Sequence, residues 1–146
     1  MTDLEYPALR QIALQALAQR AGPADGADAS AIAAQRAYDD LARVSAPLIG
    51  QVGLDALTGR TLYLLQRKYH WLALTPEPGH WTGPFAQIIF CVKQQTPAVG
   101  MEAAGAMFAT LAGLIATLIG EPLTTRLLRE AWPDPSPTQV SRRSKA

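Results

Sequence analysis

The side chains of this chain that could do chemistry are few and scattered. His70 and His80 are the only histidines and Cys91 the only cysteine. His70 stands between Tyr69 and Trp71, and His80 precedes Trp81 in a proline-rich stretch. A zinc site needs several imidazole or thiolate ligands, often two of them one helical turn apart or in a Cys-x-x-Cys pair. Neither pattern occurs, so no metal is expected. A phosphorelay role for His70 has only its helical context behind it, whereas the negative end of a helix offers it a structural role. Cys91 lies in IIFCVK, where apolar neighbours disfavour a thiolate, so an inert buried thiol is expected rather than a nucleophile. Asp39 and Asp40 could suggest acid–base work, but Arg36 with Asp40 and Asp39 with Arg43 are four apart, the spacing of solvated helix ion pairs. No glycine pattern stands between a strand and a helix to cradle phosphate, and no cofactor is expected. What remains is a candidate small-molecule pocket lined by His70, Trp71, His80 and Trp81. The same aromatics would equally pack a loop onto the fold.

Composition narrows the partners. The formal charge is +1, and the basic residues before residue 134 are spread along helices, so no nucleic-acid footprint is visible. One cysteine forbids an internal disulfide and fits a reducing compartment, and the acidic N-terminal stretch lacks the charge and apolar core of a secretory signal, so a cytoplasmic location is expected. At 146 residues the chain suits one domain with one core.

The elements that must position these residues read as helices. Pro7 opens the first, which runs to about Ala21; GPADGAD interrupts; and Asp28 or Ser30 begins a second carrying Ile32, Ala37, Tyr38, Leu41 and Val44. From Pro47 to Leu72 the apolar spacing stays helical for about 26 residues, roughly 39 Å, which predicts a long central helix, weakened and open to bending at its glycines. TPEPGHWTGP over 75–84 is a loop. Residues 85–95 suit a strand by composition and a helix by spacing; helix is chosen because no second strand exists to pair with it. Glu121-Pro122 breaks the last long helix, a short amphipathic helix ends at Trp132, and 134–146 reads as a disordered basic tail behind a bundle domain of 1–133. The fold class is therefore all-α, a single-domain bundle of five to six helices.

Between Ala103 and Gly120 stand 18 residues without charge, the lower limit of a membrane span. Six alanines, three glycines and two threonines dilute it, and neither aromatic belt nor basic cluster flanks it, so the core helix of a soluble bundle is expected and a membrane is not. The spacing of Gly105, Ala109 and Gly113 permits close helix approach.

These features point to a non-enzymatic helical domain for protein–protein interaction or regulatory adaptation. It is expected to self-associate as a homo-oligomer, or to bind another protein, through the Gly105 helix or its neighbour. The alternatives are a ligand-sensing domain around His70, Trp71 and Trp81, and membrane association through 103–120. Arg60 falls between Leu57 and Leu64 on an apolar surface; buried there it would need a carboxylate, for which Glu121 is the candidate, and otherwise its head reaches water.

Overall fold

The computed structural model describes residues 6–21, 26, 28–73 and 83–133. Six helices occupy them: α1 (Pro7–Arg20), α2 (Ala29–Ile49), α3 (Gln51–Leu65), α4 (Pro84–Lys93), α5 (Pro97–Ile119) and α6 (Glu121–Ala131). Proline stands in the first turn of α1, α4, α5 and α6, where its missing N–H has no intrahelical partner to lose. Thr96 caps α5 by accepting a 3.3 Å bond from the Val99 amide. The ambiguous 85–95 segment is helical as far as Lys93, in α4. The expected tail at 134–146 and the 75–82 part of the loop lie outside the described residues.

The continuous helix expected over 47–72 does not form. α2 passes through Pro47 and ends at Ile49, and α3 begins two residues later. Gly50 separates them with φ 89° and ψ 151°, a conformation that a Cβ makes costly. The glycine, rather than the proline three residues earlier, ends the helix, and α5, with 23 residues, is the long central element.

A repeat organises the bundle. Leu48-Ile49-Gly50 recurs 70 residues later as Leu118-Ile119-Gly120, and Gly120 has φ 90° and ψ 152°. At the same offset Ala33 and Ala103, Ala37 and Met107, Tyr38 and Phe108, and Leu41 and Leu111 are all buried. Every extensive helix–helix contact has a counterpart, or is its own, when α1, α2 and α3 are exchanged for α4, α5 and α6. Ser30 and Gly100, also equivalent, meet where α2 and α5 approach: a Cβ on Gly100 would lie 3.1 Å from Ser30 Cβ and 3.2 Å from Val92 Cγ1. The two three-helix halves thus repeat one order of elements and one pattern of packing partners.

α5 lies at the centre because it is apolar on most sides. By length and composition it could cross a membrane, and in this bundle most of its surface is covered, with Met107, Phe108, Leu111 and Ile115 at most 1% exposed. Its small residues serve internal packing. Gly105 and Gly113 are buried, and a Cβ on Gly105 would come within 2.6 Å of Leu14 Cδ2 on α1. α1 occupies the Gly105 side of this helix.

Two charge assignments also change. Asp40 does not pair with Arg36: Arg20 of α1 donates Nε and Nη2 to Asp40 Oδ2 at 2.9 and 2.8 Å, while its Nη1 reaches the Ala16 carbonyl at 3.1 Å. Arg36 instead donates to the Arg20 carbonyl at 2.8 Å, and Asp39 accepts from Gln35 at 3.0 Å. A neighbouring helix end with exposed carbonyls competes successfully with the weak i,i+4 pair. The Arg60–Glu121 clasp does not form either. α3 buries Leu54, Thr58, Thr61, Leu62 and Leu65, which leaves Arg60 exposed on the opposite side, 5.9 Å from the Tyr63 ring centroid. Glu121 is exposed in the first turn of α6, where the helix dipole suits it.

Candidate functional site

Of the residues expected to line an aromatic pocket, His70 and Trp71 lie among those described. His70 opens a short 3₁₀ turn, His70–Ala73, and is exposed. Trp71 is half-buried and meets the Tyr69 ring edge-on at 5.8 Å. His80 and Trp81 lie outside the described residues. Among those described, no three His, Cys, Asp or Glu side chains converge as metal ligands.

Hollows open elsewhere among the described residues, and two of them join residues far apart in the sequence. The first lies between α1, α3 and α5. Leu65 comes from the end of α3, and Ala106 and Ala109 from α5; two methyls cannot fill the space that a larger pair would, so a cavity of about 390 Å³ remains. Tyr6, Arg10, Lys68 and Thr110 also line it, with Arg10 and Lys68 exposed at its rim. Next to Lys68 in the chain, the Tyr69 hydroxyl donates to Glu102 Oε2 at 3.0 Å, and Lys68 Nζ lies 5.3 Å from the Tyr69 ring centroid. Burial first, and then the Glu102 bond, raise the Tyr69 phenol above its ordinary range, with the positive charge of Arg10 acting the other way. Lys68 and Leu65 are only a few residues before His70 and Trp71, but a different side of the chain faces the cavity.

The second is a groove between α2 and α6, with Val44, Leu48, Leu123 and Leu127 along it and Arg126, Arg129 and Glu130 beside it. α6 runs back along α2, because Leu123 lines the groove with Leu48 while Trp132 Nε1 donates to the Ala37 carbonyl at 3.0 Å. The two glycine corners therefore lie towards one end of the bundle. A signal for this site was present in the repeated Leu-Ile-Gly, which appears only when the two halves are compared.

Cys91 is buried, and burial pushes its thiol pKa up; it sits 3.9 Å from the Leu72 carbonyl. Burial likewise raises Tyr38, opposed by its bond with Thr58. All three shifted groups are held in their neutral forms by folding. Their contribution is complete below the unfolded values, 9.0 for the thiol and 10.0 for the phenols, and is lost as pH rises through the higher folded values. Urea midpoints should therefore fall progressively above about pH 9, and Cys91→Ala should delay the onset towards pH 10. An unchanged onset in that variant would assign the loss to other groups.

Compared with models of known protein families, with curated proteins and with solved structures, the chain matches none.

Proposed function

We propose that this chain is a non-enzymatic interaction or adaptor domain that self-associates through the end of the bundle formed by its two glycine corners. The observation that carries this reading is the placement of exposed apolar side chains. Leu48 is 54% exposed, Val52 85%, Leu118 63% and Leu123 40%, and each lies within three residues of Gly50 or Gly120. Such clustering is unfavourable in water and marks a contact surface. A second copy is the partner it suits. Leu48 and Leu118 each stand two residues before their glycine, and an isologous contact would set this one apolar patch against the same patch of the second copy, covering both at once.

Light scattering over a dilution series should show a species of twice the 15.6 kDa chain mass. Leu48→Glu with Leu118→Glu should weaken it at least about tenfold, or 1.4 kcal/mol, without changing the far-ultraviolet dichroism. A constant mass of 15.6 kDa at all concentrations would reject self-association.

A further inference from the structure

We infer that the cavity between α1, α3 and α5 binds a small amphipathic carboxylate, a monoanion with an apolar body of aromatic size. The cavity shares no lining residue with the corner groove, so this inference does not depend on self-association. Its volume of about 390 Å³ lies at the small end of the range for ligand sites. Leu65, Ala106 and Ala109 offer an apolar floor. Arg10 and Lys68 both stand on the rim, and neither forms an ion pair with a carboxylate among the described residues. The nearby acid, Glu102, accepts from the Tyr69 hydroxyl and keeps its own charge, so the two cations exceed it by one. Two cations above an apolar floor favour one negative charge joined to an apolar group. A planar guanidinium takes a carboxylate through two parallel bonds, and the ammonium adds a point charge from the other wall. The Thr110 hydroxyl supplies a further polar contact in the lining.

Backbone amide spectra of the full chain, titrated with phenylacetate, test the inference. Saturable shifts confined to the neighbourhood of Leu65, Lys68, Ala106, Ala109 and Thr110 are expected, with half-saturation on the order of 1 mM for a ligand so small. The neutral analogue 2-phenylethanol and inorganic sulfate should each bind at least about tenfold more weakly, because each lacks one of the two required features. Arg10→Gln with Lys68→Gln changes exposed side chains and should leave the spectrum of the fold intact while reducing phenylacetate affinity at least tenfold. Ala109→Leu should abolish binding by filling the floor with both cations still present. Equal binding of 2-phenylethanol or of sulfate, shifts centred elsewhere, or undiminished binding by the Gln variant would each overturn the inference.

Discussion

Replacing Trp132 by alanine is expected to destabilise the bundle by about 3–5 kcal/mol, among the largest effects of any single substitution. Trp132 is 3% exposed although it follows the last residue of α6. Its ring meets Phe108 of α5 edge-on, with centroids 5.5 Å apart and planes at 88°, and its indole N–H donates to the Ala37 carbonyl of α2 at 3.0 Å. One side chain thus holds α6 against both long helices, and its removal leaves a cavity where three helices meet. Trp132→Phe keeps most of the packing and loses the hydrogen bond, so about 1–2 kcal/mol is expected. Phe108→Ala should cost a similar 3–5 kcal/mol, and the double alanine variant less than the sum by about 0.5–1.5 kcal/mol, the worth of the ring pair. Urea unfolding followed by dichroism measures all four. A loss under 1 kcal/mol in Trp132→Ala would show that α6 does not depend on this anchor.

Gly50→Ala and Gly120→Ala are expected to cost about 1–3 kcal/mol each, and nearly the same amount. Their backbone angles agree within about a degree, and space does not distinguish them: a Cβ on Gly50 meets nothing within 4 Å, and one on Gly120 meets only Pro122 Cδ at 3.9 Å. The penalty is therefore conformational. Gly59 provides the contrast. It sits inside α3, where a Cβ would lie 3.9 Å from Pro84 Cγ, so Gly59→Ala should stabilise by about 0.4–1 kcal/mol. Calorimetric melting of the three variants separates strain from propensity. A neutral result at either corner would mean that the corner relaxes without the left-handed backbone, and unequal costs would break the equivalence of the two halves.

The all-helical class was legible because it follows from local properties. Apolar residues at helical spacing, prolines suited to first turns and the lack of a second strand-like segment all act within a few residues of one another. The buried fate of α5 was legible too, since a helix apolar on most sides has few other places to go. The end of α2 was legible only as a bend among the glycines after Pro47. Pro47 gives the stronger local signal for a break, yet the chain stays helical through it and turns at Gly50, because the bundle needs α3 to fold back where it packs on α4 and α5.

Only tertiary structure decided which charges meet and where space is left. Arg36 and Asp40 have suitable spacing on one helix, but Arg20 arrives from α1 with two N–H groups aimed at the same carboxylate oxygen, a geometry stronger than the flexible surface pair. Of the two fates open to Arg60 beside its leucines, burial with a paired carboxylate or a head in water, the exposed one is realised, since helical spacing defines a face without saying which face the neighbours will cover. The cavity beside Arg10 and Lys68 joins residues nearly 60 positions apart, and small side chains at 106 and 109 become a hollow only when α1 and α3 stand on either side of them. Sequence by itself determined the kind of element and the apolar character of each helix, because these depend on short-range spacing. Partners, pockets and exposed ends came from the packing, because they depend on which helix faces another across the core.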